Sequence, residues 1–331
     1  VHVFNRSELI EVATFRAGDD STNNNNLIKD TSGKIIRDNI WGDLEQDTYR
    51  RDFTVNALYY CPISQKIVGH KDGMKHIHEK SIVSIGDPVK RFSEDPVRSL
   101  RAIRFSNKLD FKIDKDIKEA IYEKGHLLSD ISNARLFDEF CKIFLSGMAE
   151  KNFNKLSSYG LSKYLISTDS ERNEFTRNLI VESLRNTDKR LINGQSITPG
   201  FLIAALLWPE LIERSSSKGE INLRKFFRSM DYVLRNQQKI TAVPRKFQSY
   251  IKDIWVLQLK LHSRIGKQPY KTLKHPRFRA AYDLLLLRER ATNMKQDLGK
   301  WWTDFQKNDE NIKKTLINNL KEKNIQETPK I

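Results

Sequence analysis

The chain has 331 residues, 38% of them hydrophobic and 30% charged, and carries a formal net charge of +16. That length accommodates two or three domains, each with its own core. The pI near 9.6 favours a polyanionic partner. Nucleic acid comes before a membrane surface, because no amphipathic Lys/Trp helix stands out, although a basic but otherwise ordinary protein gives the same balance. Cys61 and Cys141 lie far apart and in no metal-ligand spacing, which fits a reducing compartment. There is no signal peptide and no apolar run of membrane-spanning length, so a cytoplasmic protein is expected.

Residues 1–4 and 9–15 read as two β-strands joined by the polar turn Asn5-Arg6-Ser7-Glu8. The chain enters strand sequence at once, Val1-His2-Val3-Phe4, without a Met, and reads as a fragment whose start lies upstream. In the second strand Leu9, Glu11, Ala13 and Phe15 share one face, with Ile10, Val12 and Thr14 on the other. Glu11 therefore sits among apolar neighbours. If buried it needs a cation, a hydrogen-bond network or water; otherwise it faces solvent on an edge strand. Residues 17–34, with four consecutive asparagines at 23–26, read as a flexible surface loop.

Residues 44–49 start helically and run into Arg50-Arg51-Asp52-Phe53-Thr54-Val55-Asn56-Ala57-Leu58-Tyr59-Tyr60. Adjacent guanidiniums suit phosphate, since their planar forks grip non-bridging oxygens bidentately. Asp52 beside them can accept from a ribose hydroxyl or orient an arginine. The same residues also suit an exposed charged turn feeding a buried strand. From Phe53 onward the alternation admits strand or helix. Residues 67–74 and 82–85 are short strand-and-turn pieces.

After Gly86-Asp87-Pro88 the pattern is helical. Ser93-Glu94-Asp95-Pro96 opens a helix, with Asp95 suited to the N-cap and Pro96 to the first turn. Val97, Leu100 and Ile103 form its apolar line. Asp95 and Arg98, three apart, can pair; held edge-on they present acceptor and donor groups to a base, or they are merely a cap and a first-turn ion pair. Further helices are predicted at 117–124, 134–145, 177–186, 200–207, 223–235, 247–261 and 278–290. From Pro244 to Arg290 there are twelve Lys and Arg against three Asp and Glu, a net +9 in one region. Arg245, Lys246, Lys252, Lys260, Arg264, Lys267, Lys271, Lys274, Arg277 and Arg279 are candidate phosphate contacts, with Tyr250, Trp255, Tyr270 and Phe278 interleaved. Trp255, flanked by Ile251, Ile254 and Leu259, reads as core. Residues beyond Lys307 read as a fraying tail.

The sequence has no P-loop, no Gly-x-Gly-x-x-Gly and no zinc spacing, and its seven histidines are scattered. Two stretches carry a resemblance. Arg50-Arg51-Asp52-Phe53-Thr54-Val55-Asn56-Ala57-Leu58 is similar to the second motif of the class II nucleotidyltransferases, the bacterial CCA-adding enzymes and poly(A) polymerases. Glu94-Asp95-Pro96-Val97-Arg98, followed by Leu100-Arg101-Ala102-Ile103-Arg104-Phe105, resembles their Glu-Asp-x-x-Arg motif at the expected distance. Gly86-Asp87-Pro88 and Ala134-Arg135-Leu136-Phe137-Asp138-Glu139 also fit. Asn186-Thr187-Asp188-Lys189-Arg190, Asp253-Ile254-Trp255 and the stretch His275-Pro276-Arg277-Phe278-Arg279 through Leu285 resemble poly(A) polymerases more than CCA-adding enzymes.

The resemblance implies an α/β nucleotidyltransferase (polymerase-beta-like) head remnant, then a mostly α-helical neck and body. The expected division is head 1–88, neck 89–148, RNA-binding body 149–300 and a partly disordered tail 301–331. The implied activity is template-independent addition of AMP from ATP to RNA 3′ ends with two Mg²⁺ ions, promoting RNA decay in bacteria. Glu11 would be a third carboxylate near the metals. Arg50 and Arg51 would serve the triphosphate, Asp52 the ribose or its support, and Asn56 would hold that loop. Asp95 and Arg98 would face the base, supported by Glu94 and Arg101, with Arg135 on a bracing helix. The family's Gly-Ser…Asp-x-Asp motif is not found, so the fragment is expected to bind RNA without polymerising. No arginine-rich tail is visible. The alternatives are a CCA-adding enzyme and a non-catalytic RNA-binding module.

Overall fold

A computed structural model describes residues 1–6, 8–17, 41–217, 220–292 and 297–322. The asparagine-rich loop expected at 17–34 lies, beyond Ala17, outside the described residues. The chain divides into two compact units, Val1–Leu128 and Ser129–Ile331.

The first unit is mixed α/β. Strands β1 (His2–Asn5) and β2 (Glu8–Glu11) form an antiparallel hairpin in which His2 faces Glu11. The second strand ends at Glu11 instead of running to Phe15. Every described residue of the hairpin is exposed, so neither face of its alternation is core. Helix α1 (Leu44–Arg50) starts at a capping box: Asp43 accepts from the Gln46 amide, and Gln46 accepts from the Asp43 amide. It stops at Arg51, which is extended, and a single 3₁₀ turn (Thr54–Asn56) follows. Strands β3 (Leu58–Cys61) and β4 (Lys66–Gly69) then pair antiparallel. So the ambiguous run after Phe53 uses both periods, a turn of helix and then a strand.

Helix α2 (Gly73–His78) occupies the end of the stretch read as strand and turn. β5 (Ser81–Ile82) comes next, and α3 (Pro88–Glu94) begins with Asp87 accepting from the Val89 amide and Pro88 in its first turn. Ser93 and Glu94 therefore end one helix and do not open the next. Helix α4 (Val97–Leu109) starts after them, with the Asp95 carboxylate accepting from the Val97 amide at 3.2 Å. Its apolar line Val97, Leu100 and Ile103 is buried. Asp110, left-handed at φ 55°, turns the chain into β6 (Lys112–Ile113), which pairs in parallel with β5. Helix α5 (Lys115–Lys124) packs on α3 and α4. The core of this unit brings Phe53, Ala57 and Ile82 together with Phe92, Leu100, Ile103 and Ile121, all with essentially no exposed surface. Each of the Phe, Leu and Ile side chains among them contributes about 1.5–3 kcal/mol on burial. Helices α3–α5, within the expected neck 89–148, pack in the first unit.

The second unit is helical: α6 (Asn133–Phe144), α7 (Ala149–Ser158), α8 (Glu174–Ile192), α9 (Pro199–Ser215), a small strand pair β7 (Ser216–Ser217) and β8 (Glu220–Ile221), α10 (Leu223–Gln238), α11 (Arg245–Lys260), α12 (Gln268–Leu273), α13 (Phe278–Thr292), α14 (Asp297–Lys307) and α15 (Glu310–Glu322). Helix α9, apolar on nearly every face, is the axis on which α8, α10 and α11 pack. Trp255 is core, as its apolar flanks predict, with its indole N–H on the Ala204 carbonyl at 2.9 Å. Asp188 accepts from the Ala149 and Glu150 amides and so anchors α7 to α8.

Residues 301–305, at the start of the expected tail 301–331, are packed in the core. Trp301, Trp302 and Phe305 are buried against Leu257, Leu261, Phe278 and Tyr282, and Trp302 donates to the Leu261 carbonyl at 2.9 Å. Burial of these three aromatic side chains outweighs the polar composition around them. Among the described residues no helix is long and apolar enough to cross a membrane.

Candidate nucleotide site

The Arg50–Asn56 stretch is organised by a residue that sequence reading passed over. Asp47, on the same helix one turn earlier, is 3% exposed at its side chain. Its Oδ1 accepts from Arg50 Nε at 2.8 Å and from the Arg16 amide at 3.2 Å. Its Oδ2 accepts from Arg51 Nε at 3.1 Å, Arg51 Nη2 at 3.0 Å and the Tyr59 hydroxyl at 2.5 Å. Burial alone would push this carboxyl up, but the hydrogen bonds from Tyr59, Arg50, the Arg16 amide and Arg51 outweigh it and hold the pKa at about 2. Arg51 also donates to the Asn56 carbonyl at 3.0 Å and lies 4.9 Å over the Tyr59 ring. The two guanidiniums are about one-third exposed, oriented by one carboxylate and open to a further anion.

Asp52 points the other way. It is buried; its Oδ1 accepts from the Phe53 amide at 2.9 Å and Asn56 Nδ2 at 3.0 Å, and its Oδ2 pairs with Arg101 Nε at 2.5 Å. Both carboxylate oxygens of Asp52 are thus engaged by groups of the chain itself. Backbone bonds from Thr54 to Val83 and from Ile85 to Asp52 fix the same turn on the core.

Arg91, also passed over in the sequence, ties the two motifs together. Its Nη2 donates to the carbonyls of Arg50 at 2.8 Å and Arg51 at 2.6 Å, capping the C-terminus of α1 where the helix dipole is negative. Its Nη1 reaches Glu94 Oε2 at 3.2 Å. Burial and the neighbouring Arg98 charge lower its pKa. Arg98 donates to the same Glu94 oxygen at 3.1 Å and to the Arg91 carbonyl at 2.8 Å. The carboxylate that orients Arg98 is therefore Glu94, one residue before the partner expected from spacing. At i, i+4 across the break between α3 and α4 that geometry is favourable. Asp95 stands beside it, half-buried, on the Val97 amide.

Glu11 is not drawn into this network. Its side chain is 76% exposed on the hairpin, 3.9 Å from His2 Nε2. Arg135 is an exposed first-turn residue of α6 in the second unit, its amide capped by Ser132. In the basic region Arg245, Lys246, Lys260, Lys267, Lys271, Lys274, Arg277 and Arg279 are exposed, while Lys252 is paired with Asp231 at 2.6 Å. Arg264 is the exception. It is 6% exposed and lies 5.5 Å over Trp301, so its charge serves the aromatic core and not a surface track.

Three family models match successive parts of the chain: the poly A polymerase head domain at residues 1–83, the probable RNA and SrmB-binding site of polymerase A at 110–168, and the polymerase A arginine-rich C-terminus at 218–330. Poly(A) polymerase I of Haemophilus influenzae is 39% identical over 92% of this chain and 70% of its own length. The chain belongs to the bacterial poly(A) polymerase family.

Poly(A) polymerase I of Escherichia coli is 38% identical over 97% of the chain and 72% of that protein. A CCA-adding enzyme of Lactococcus lactis reaches 28% over 77% of the chain and 58% of that protein. As a poly(A) polymerase relative, the chain has a nucleotidyltransferase head followed by a mostly helical body. Solved structures share that fold: a tRNA nucleotidyltransferase complexed with a primer tRNA and an incoming ATP analog has a TM-score of 0.55 at 19% identity, covering 85% of this chain and 73% of that one. A tRNA-processing enzyme with CTP gives 0.56 at 21%, covering 85% and 75%. The match of the arginine-rich C-terminus corrects the expectation that such a region is missing. It coincides with the basic stretch, part of whose charge packs inward.

Proposed function

We propose that the first unit positions ATP and the basic face of the second unit holds RNA, for template-independent addition of AMP to RNA 3′ ends in the bacterial cytoplasm. The observation that carries this reading is the joining of the two motifs. Asp52–Arg101 at 2.5 Å and Arg91 on the Arg50 and Arg51 carbonyls lock the Arg-Arg turn against the Glu94–Arg98 segment.

Each side chain then has a distinct task. Arg50 and Arg51, pre-oriented by Asp47, meet the triphosphate, whose charge exceeds that of the single carboxylate already present. Asp52, Asn56 and Arg101 keep that turn in place. Asp95 and Arg98 offer an acceptor and a donor to the base edge, with Glu94 holding the guanidinium plane. Adenine and cytosine present the same amino-donor and ring-nitrogen-acceptor pair on that edge, so this pair orients the base and pocket size completes the choice.

Magnesium accompanying ATP supplies charge neutralisation at the leaving pyrophosphate. Glu11, exposed on its hairpin, would be a carboxylate near such an ion. Among the described residues no group of three or more His, Cys, Asp or Glu side chains forms a metal site, so Glu11 alone does not constitute one.

The test is Arg98→Ala in the full-length protein. Loss of a charge-assisted bond of about 1.5–3 kcal/mol raises the KM for ATP at least tenfold, with RNA affinity unchanged. An unchanged KM with intact folding rejects the base-facing role.

A further inference from the structure

A cleft of about 220 Å³ opens in the second unit between the start of α9 and the segment leading into α13, lined by Arg190, Tyr250, Arg277, Arg279 and Asp283. Two stretches that carry the resemblance to poly(A) polymerases, 186–190 and 275–285, meet there. The cleft is built and not incidental. Arg277 lies with its guanidinium 4.8 Å over the Tyr250 ring. A Cβ at position 200 would come within 3.0 Å of Tyr250 Cδ1, so glycine lets α9 seat against that ring and fix it. Arg190 and Arg279 hold opposite oxygens of Asp283, each at 3.1 Å. Burial pushes the Asp283 carboxyl up while the two arginines pull it down. Arg190 Nε is buried without a hydrogen-bond partner among the described residues.

Three guanidiniums and one carboxylate thus line the cleft, with only Arg190 and Arg279 paired to Asp283, and an anion is the missing complement. Sites for drug-sized ligands run about 300–1,000 Å³, so a space of 220 Å³ suits a phosphate with its sugar and not a whole nucleotide. Lys274, exposed immediately before the cleft-lining segment, supplies a neighbouring charge for a chain of phosphates. We propose that this cleft is a phosphodiester subsite for the bound RNA strand: Arg277 and Arg279 grip one phosphate, Arg190 backs them, and the phosphate competes with Asp283 for the arginine forks. The inference rests on the RNA-binding reading above and names where one phosphate is held.

The experiment measures binding of a labelled oligoadenylate about 12 nucleotides long across a salt series. Arg277→Ala, an exposed side chain whose loss leaves the core untouched, weakens binding about tenfold and reduces the salt slope by about 0.7. Lys271→Ala, with the same charge change outside the cleft, costs less than about threefold. Arg277→Lys keeps the charge but loses the stacked fork and does not restore affinity. Asp283→Asn tightens binding more than Asp253→Asn, an exposed acid on α11. Equal effects of Arg277→Ala and Lys271→Ala overturn the subsite. So does inorganic phosphate that binds the wild type, fails to bind Arg277→Ala and does not displace RNA, since the cleft is then a free-anion site. AMP incorporation in the same samples separates the two levels. A wild type that extends RNA while Arg277→Ala binds it unchanged rejects the cleft alone. A full-length wild type that extends none rejects the reading beneath it.

Discussion

Replacing Asp47 by Asn tests whether one buried carboxylate organises the nucleotide side of the head. In the folded chain its pKa lies at about 2, against an ordinary 3.8. That difference corresponds to about 2 kcal/mol of stability. The folded pKa is depressed, so the contribution is present above about pH 4 and is lost as pH falls from there through 2. Breaking a fully buried ion pair costs about 3–5 kcal/mol. Here Arg50 and Arg51 are 29% and 37% exposed and regain water, which brings the expected cost of Asp47→Asn at pH 7 to about 2–3 kcal/mol. Urea denaturation of wild type and variant at pH 7 and again near pH 2.5 measures both terms. The gap between the two proteins should be about 2–3 kcal/mol at neutral pH and should narrow in acid, because the wild type alone loses the Asp47 contribution. A neutral-pH difference below about 0.5 kcal/mol, or a gap that does not change with pH, refutes the hub.

Two further outcomes probe the surrounding framework. A double-mutant cycle over Asp52→Asn and Arg101→Gln should give a coupling energy of about 1–3 kcal/mol in unfolding, whereas additive losses would exclude the pair. Trp302→Ala should cost about 3–5 kcal/mol, since the ring is 0% exposed and its N–H bonds the Leu261 carbonyl; a loss under about 1 kcal/mol would return residues 301–322 to the status of a fraying tail.

Much of this architecture is legible from residue order. The helices predicted at 117–124, 134–145, 177–186, 200–207, 223–235, 247–261 and 278–290 are all present, mostly longer than their apolar periodicity marks, because capping residues such as Ser132, Asn173 and Thr198 sit outside the apolar pattern. The Arg-Arg-Asp and Glu-Asp-x-x-Arg motifs are visible, but which carboxylate serves which arginine is not. Asp47 lies three and four residues before Arg50 and Arg51, a helical spacing that signals an ion pair once α1 is known to include all of them. Glu94 takes Arg98 because α3 ends there and α4 starts three residues on, a break that the proline alone leaves uncertain by one position. Arg264 shows the limit of counting charge. Sequence places it in a basic run, and only the packing of Trp301 shows that it faces inward. The helix carrying Trp301 and Trp302 was hidden by its polar neighbours, although its aromatics at i, i+1 and i+4 mark one face.

The central claim, that this chain's family chemistry is AMP addition to RNA ends, is tested most directly by incorporation from single nucleotides. The full-length protein is given RNA with an accessible 3′ end, including a transfer RNA lacking its terminal nucleotides, with ATP alone or CTP alone. The account predicts runs of AMP from ATP and no comparable extension from CTP. Incorporation of CMP followed by a single AMP, then arrest, would contradict it and make the chain a CCA-adding enzyme.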